Sequence, residues 1–440
     1  MTRTYHSLEA HLAQFPGLPP EAIVKQDVLR TGLRFSESAM TVAAGFKPKD
    51  YFIFSFDLIE IKDMKSDEHL RVPEEIRISE GPFRLRPTII SVRINPTSPY
   101  LVDVIDGRLR LFCDGHDLGL VGYHPVPPFY HEKLSSGKPM GEIAPVLEWG
   151  YLIYLTAYRM CQYFNKEEQC RFCDINRNFI QQRKAGKTYT GIKGTDEVLE
   201  ALAHIDRTDT RAKAYTLTGG SVITNLQGTE EVDFYVRYIE AIEAAFPGRW
   251  IAKAVVQAWD IADCRRLKAA GAQIYHPNYE VWGKELFAQI CPGKERVIGF
   301  ENWIRRVVDS AEVFGAENVI PNFVGGVEMN SVCGFRDVDR AVAHTREGLD
   351  WFMSQGIVPR FTTWCPEPLA ALGPQPAPPL AYFCKLLLAW RERFTHYGLP
   401  IPPGYGEPGP GRAVFSVSAF MDVLEPQKDT QKPESAGMKG

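Results

Sequence analysis

Three cysteines fall close together in the stretch from Tyr158 to Asn176, at Cys161, Cys170 and Cys173, in the spacing C-x8-C-x2-C. The next cysteine in the chain is Cys264, and no fourth cysteine or histidine follows closely. Three thiolates with an empty fourth position suit a [4Fe–4S] cluster that keeps one iron open to another ligand. Soft thiolates select iron–sulfur or zinc over hard cations. A zinc knuckle, or three cysteines with no shared task, are the alternatives.

A stretch of this kind needs a rigid frame, and the chain is long enough to build one. Its 440 residues predict two to three domains. Hydrophobic content of 45% and charged content of 24% are those of an ordinary soluble protein. A net charge of −4 gives no electrostatic reason to expect nucleic acid or an anionic membrane. The N-terminus carries no signal-peptide core, and no apolar run approaches the ~20 residues that span a bilayer. Nine scattered cysteines fit a reducing cytoplasm better than a disulfide framework.

From residue 148 the pattern is regular. Strand candidates at 149–158, 212–220, 250–257, 273–282, 319–328 and 357–365 alternate with helices at 195–207, 230–246, 261–271, 302–315, 338–356 and 379–398. Thr195 reads as the N-cap of the first. Six strand–helix units with short connections predict a parallel sheet with right-handed crossovers. In such βα folds the chemistry sits at the C-terminal ends of the strands, and the three cysteines follow the first strand.

Ahead of these units, residues 1–48 read as helical and irregular, with a helix at 21–32 closed by Gly32. Residues 51–61 and 88–94 read as strands, and 101–112 as a hairpin turning at Asp106-Gly107. Residues 116–145 read as a linker in which His124 and His131 could face a site. Cys113 and Cys384 read as core residues. The boundaries are an N-terminal accessory region with a β-rich unit over 1–147, the βα units over 148–398, and a C-terminal extension over 399–440. Its tail is expected to be disordered from about residue 424.

The cysteine stretch, with Phe172 just before Cys173, resembles the cluster loop of the radical S-adenosylmethionine (SAM) superfamily. The barrel looks closest to that superfamily's biotin synthase-like group. The usual spacing there is C-x3-C-x2-C, so the gap between Cys161 and Cys170 is a departure. The resemblance covers about residues 148–398. It implies an α/β fold, a (βα)6 partial TIM barrel with an N-terminal β-rich accessory domain. It also implies a [4Fe–4S] cluster on Cys161, Cys170 and Cys173, with S-adenosyl-L-methionine chelating the open iron. Reductive cleavage of SAM to a 5′-deoxyadenosyl radical, which abstracts hydrogen from a small-molecule substrate, would follow. Rearrangement, C–C or C–S bond formation and methyl transfer all stay open. A cytoplasmic enzyme with an electron donor such as flavodoxin or ferredoxin is implied, with neither nucleic acid nor membrane as partner.

The same resemblance assigns the cofactor-binding positions. Phe172 would lie near the adenine. Thr218, Gly219 and Gly220 end the second strand, where the family's glycines meet the amino group of SAM through backbone; Ser221 stands where a glutamate is common. Asn278 and Glu280 lie on the fourth strand and could point inward together. Phe323, Gly325 and Glu328 match the motif that packs on adenine, with Pro321 in place of its first glycine. Cys291 lies in a stretch similar to biotin synthase relatives and reads as packing. Cys365, ending the sixth strand, is the better placed of Cys333, Cys365 and Cys384 for a catalytic role. The alternative from another class is a non-catalytic iron–sulfur or zinc-binding βα protein, acting as a scaffold or maturation partner.

Overall fold

Asp106 and Gly107 turn the chain with φ of 50° and 73°. That is the backbone of a two-residue hairpin turn matched to strand twist. The computed structural model describes residues 4–50, 53–64, 71–187 and 190–425. In its first part, six strands form one sheet: β1 (Arg34–Phe35), β2 (Glu75–Glu80), β3 (Leu85–Ser91), β4 (Tyr100–Ile105), β5 (Arg108–Cys113) and β6 (His116–Tyr123). Their order is β1-β4-β5-β6-β2-β3. The helix Pro20–Thr31 lies beside it and ends at Gly32, whose φ of 73° suits a glycine cap.

Two expectations for this region are overturned. Residues 53–60 are not a strand, although YFIFSFDLIEI has the composition of one; residues 51 and 52 lie outside the described set. Phe56 takes φ of 51°, and the backbone hydrogen bonds go elsewhere. The Ser55 and Phe56 amides donate to the carboxylates of Asp174 and Glu367, and the Leu58 amide donates to the Ile94 carbonyl. The second correction is β6, which occupies the start of the expected linker. Gly119 and Gly122 hide its β pattern. A Cβ on Gly119 would overlap the Ser79 carbonyl oxygen of β2, so the glycine is what lets the strands meet there.

The regular half begins with β7 (Val146–Leu147), paired antiparallel to β8 (Leu152–Tyr158). Then come β9 (Ala214–Gly219), β10 (Ile251–Val256) and β11 (Ile274–Pro277), each parallel to the one before. Parallel bridges at Tyr275/Val319 and Glu280/Phe323 carry the series to β12 (Asn322–Gly325), which pairs parallel with β13 (Arg360–Thr363). Helices Thr195–Thr208, Glu231–Ala245, Ile261–Ala269, Phe300–Asp309, Val338–Met353 and Leu380–His396 follow the six strands in turn. This is the expected α/β fold, six βα units in chain order as a partial barrel. Gly194, not Thr195, is the N-cap of the first of these helices.

A partial barrel has an open side, and the rest of the chain covers it. The Thr363 amide on β13 donates to the Val417 carbonyl (3.0 Å), and the Ser91 amide on β3 donates to the Ser416 carbonyl (3.1 Å). The segment after the last helix is therefore stitched between the barrel edge and the edge of the N-terminal sheet. A buried ion pair, Lys25 with Asp422 at 2.9 Å, fixes it further, and Thr88 donates to the same carboxylate. Leu424 is still buried; the expected disordered tail lies, from residue 426, outside the described residues. Among those described, no helix is long and apolar enough to cross a membrane.

Candidate functional site

Beyond β8 the chain forms an irregular loop whose backbone is held by side chains. The Asn176 amide clamps Cys161: its oxygen accepts from the Cys161 N–H (2.6 Å), and its nitrogen donates to the Cys161 carbonyl (3.2 Å). The long gap before Cys170 is taken up by a single 3-10 turn, Gln162–Lys166, stopped at Glu167 with φ of 56°. The Cys173 amide then donates to the Cys170 carbonyl (2.9 Å), which folds C-x2-C into a tight turn. All three cysteines line one cavity of about 230 Å³ within the barrel. As they stand, no three His, Cys, Asp or Glu side chains among the described residues converge closely enough to grip one metal ion.

The thiols are not equivalent. Burial pushes Cys161 up to about 11 and Cys173 well above the ordinary thiol value. Cys170 is held below it, first by a hydrogen bond with Cys291 and then by the nearby Lys294 ammonium. Cys291, expected to be packing, is buried and also meets a thiol of the loop. Lys294 forms a buried ion pair with Glu280 at 2.6 Å. Burial pulls Lys294 down, but Glu280 and the two neighbouring thiols more than offset it and hold its pKa above the ordinary value. A soft thiol donor set lining a barrel cavity fits an iron–sulfur group by ligand type.

The two glycines ending β9 are explained by the chain itself. A Cβ on Gly220 would overlap the Met160 carbonyl, and one on Gly219 would meet the Tyr158 carbonyl at 2.6 Å. The missing side chains thus make room for the cysteine loop. The Gly220 carbonyl accepts from the Tyr235 hydroxyl at 2.8 Å. Thr218, Gly219, Gly220 and Phe172 all line the cavity, and the Thr218 hydroxyl donates to the Val255 carbonyl at 3.0 Å.

Asn278 and Glu280 reach the cavity together, although β11 ends at Pro277 before either. Asn278 also accepts from the Asn322 amide at 3.0 Å. Phe323, Gly325 and Glu328 are not among its lining residues; Asn322 and Val324 take that face of β12, as strand alternation requires. Phe323 packs on Tyr279 and Phe361. A Cβ on Gly325 would crowd Phe361 and Leu386. Glu328 accepts from the Gly326 amide (2.9 Å), Thr345 (2.5 Å) and Tyr382, so it braces the helices outside the barrel.

Several wall residues carried no sequence signal. Ile53, Phe54 and Phe56 reach the cavity from the irregular segment 53–60. Ser55 beside them joins two buried acids, with its Oγ 2.8 Å from Asp174 and 2.7 Å from Glu367. One hydroxyl hydrogen cannot serve both, so one carboxyl must carry a proton. Burial pushes Asp174 up to about 6 and Glu367 well above the carboxylate range. Cys365 sits beside Glu367 on the cavity wall, its thiol pushed far up by burial. Glu231 is fully engaged, accepting from Trp259 (2.7 Å), the Val222 amide (3.0 Å) and Gln257 (3.0 Å). Cys333 meets Asn330, Cys384 and Cys113 are core, and His124 is buried edge-on to Trp149.

The opposite end of the cavity is built by a strained turn. Glu148, Trp149 and Gly150 take φ of 54°, 57° and 88° in succession. Two adjacent non-glycine residues there cost on the order of 1–3 kcal/mol each. The Glu75 carboxylate holds them by accepting from both the Glu148 and Trp149 amides at 2.9 Å. Arg360, the first residue of β13, lines the same end.

No family model and no curated protein matches this chain. Solved structures similar to it include methylornithine synthase (PylB), at 14% identity and a TM-score of 0.40, covering 59% of this chain and 64% of that one. Another is HydG, a maturase of the [FeFe]-hydrogenase, also at 14% and 0.40, covering 56% of this chain and 49% of that one. The chain thus spans about two thirds and about half of the lengths of these two.

Proposed function

We propose that this chain is a radical SAM enzyme acting on a small molecule. The observation that carries the reading is that Cys161, Cys170 and Cys173 line one barrel cavity from the loop after the C-terminal end of β8, the end where βα folds place their chemistry. A [4Fe–4S] cluster held by these thiols would supply the electron that cleaves SAM to methionine and a 5′-deoxyadenosyl radical, which takes hydrogen from the substrate.

The chain's own residues account for the rest. Cys170 meets an incoming metal with the most ionised of the three thiols. Phe172 offers an aromatic face beside Cys173, and Asn278 and Glu280 offer acceptors for the hydroxyl and amino groups of SAM. Glu280 is positioned by Lys294 rather than free. Ile53, Phe54 and Phe56 close the wall with apolar surface, which excludes water from a site where a radical would otherwise be quenched. Cys365 presents a protonated thiol to the same space.

Anaerobic reconstitution with iron and sulfide, then dithionite and SAM, tests this by formation of 5′-deoxyadenosine. Wild type should form it, and both Cys161→Ala and the Cys170→Ala/Cys173→Ala double variant should not. Activity kept by Cys161→Ala would remove it as a ligand. A fully loaded cluster that never cleaves SAM, with candidate substrates present, would move the chain to a scaffold or maturation role. Zinc alone in the purified protein would do the same for the cluster itself.

A further inference from the structure

Glu148 and Arg360 face the same cavity from its far end, and each keeps a buried polar atom there without a hydrogen-bond partner. Glu148 is 4% exposed, its Oε2 has no hydrogen-bond partner, and no described residue forms an ion pair with it. Arg360 keeps its guanidinium beside the rings of Tyr405 and Phe415 (5.5 and 5.1 Å) and hydrogen-bonds the Tyr405 side chain, while its buried Nε has no partner. Lys253 stands behind them, donating to the Gly404 carbonyl at 2.7 Å. Its charge and that of Arg360 both act on Glu148, yet neither cation closes on it.

We infer that this end of the cavity is a subsite for a zwitterion, a small molecule carrying both an ammonium and a carboxylate, with Glu148 receiving the ammonium and Arg360, backed by Lys253, receiving the carboxylate.

A buried donor or acceptor left without a partner is costly, so an arrangement that keeps two of opposite sign apart needs something between them. A simple anion would satisfy Arg360 and leave the Glu148 carboxyl facing like charge. A simple cation would do the reverse. Only a ligand with donors at one end and acceptors at the other satisfies both. The strained turn adds a separate observation. Glu75 spends both carboxylate oxygens on holding the Glu148 and Trp149 amides, which fixes the Glu148 backbone in a left-handed conformation other residues rarely adopt. The placement also suits the fold. Glu148 precedes the first barrel strand and Arg360 opens the last, so the two stand at the lips of the barrel's open side. A ligand held there extends its remaining atoms towards the thiols. Burial pushes the free Glu148 carboxyl up to about 7 and pulls Lys253 down to about 7, as expected where the partner for their charges is missing.

The ligand's role as substrate rests on the radical SAM reading, but its binding does not. The test is therefore calorimetric titration of the full chain, free of cluster and SAM. The probes are glycine, β-alanine, γ-aminobutyrate and their longer homologues, each beside the plain acid and the plain amine of equal length. The series is a ruler for the separation of the two charges. One length should bind best and exceed its two singly charged analogues by about tenfold or more. In Glu148→Gln that zwitterion should fall to the level of the acid, and in Arg360→Met to the level of the amine. A flat response along the series overturns the subsite, and so does equal binding of zwitterions and singly charged analogues. Failure to form 5′-deoxyadenosine would leave this result standing, and failure here would leave the cluster chemistry standing.

Discussion

The two ends of the cavity hold buried charge in opposite ways. At the thiol end the acids are mostly answered: Glu280 by Lys294, Glu231 by Trp259, Gln257 and a backbone amide, and Asp174 and Glu367 by the shared Ser55, with only Asp174 Oδ1 left without a partner. At the far end Glu148 and Arg360 are held apart with polar atoms unpaired. Charges that are answered by the protein fix a shape. Charges that are not answered define what must come in from outside. The difference also bears on stability, because breaking a satisfied pair and deleting an unsatisfied charge have opposite signs.

The largest effect should come from breaking the satisfied end. Lys294→Met leaves Glu280 buried and unpaired, and should lower unfolding free energy by about 3–5 kcal/mol in a denaturant titration. A loss under about 1 kcal/mol would mean that Glu280 finds water, and the contrast between the ends would weaken. Next comes Gly220→Ala. Its Cβ has no space beside the Met160 carbonyl, so the cysteine loop must shift, with about 1–3 kcal/mol of lost stability and poorer iron uptake on reconstitution. Normal iron content in a stable variant would show that the loop position is not what loading needs.

At the far end the sign should reverse. Glu148→Gln removes an unanswered buried carboxyl while keeping its shape, and should leave stability unchanged or raise it by up to about 2 kcal/mol. A clear loss would reveal a partner for Glu148 and end the comparison. The smallest effect is the pH response of the Ser55 bridge. The folded-state pKa of Asp174, about 6, lies above its ordinary 3.8. The folded chain therefore binds the proton more tightly, and this contribution is full below the ordinary value and lost as pH rises through about 6. The melting temperature should fall across that window, and Asp174→Asn should flatten the slope. An unchanged slope in the variant would place the titration elsewhere.

How much of this was legible follows from how each element is encoded. The six βα units were, because each carries its own period and its own end signals: Asp106-Gly107 and Gly32 did the same for local turns. The lining residues Thr218, Gly219, Gly220, Asn278 and Glu280 followed once the strands were placed. The face of β12 did not, since a one-residue shift in register exchanges Asn322 and Val324 for Phe323 and Gly325. The composition of segment 53–60 favours a strand, while its hydrogen-bond partners are carboxylates 119 and 311 residues away in the chain. Glu148, Ser55 and Lys294 gave no local signal for the same reason: what makes them matter is a neighbour that only the fold supplies.

The stitch of Ser416 and Val417 between β13 and β3 has a consequence in time. Phe415, Ser416 and Val417 are wall residues of the cavity and are the last of its lining to be synthesised. The thiol loop and all six strands precede them in translation. Glu75 and Arg93 tie the N-terminal sheet to the two barrel edges through side chains, and that short segment adds the backbone bonds that bridge β13 and β3. During synthesis there is therefore a stage in which the cysteine loop is made and this part of the cavity wall is not, and the 415–417 segment is what fills it.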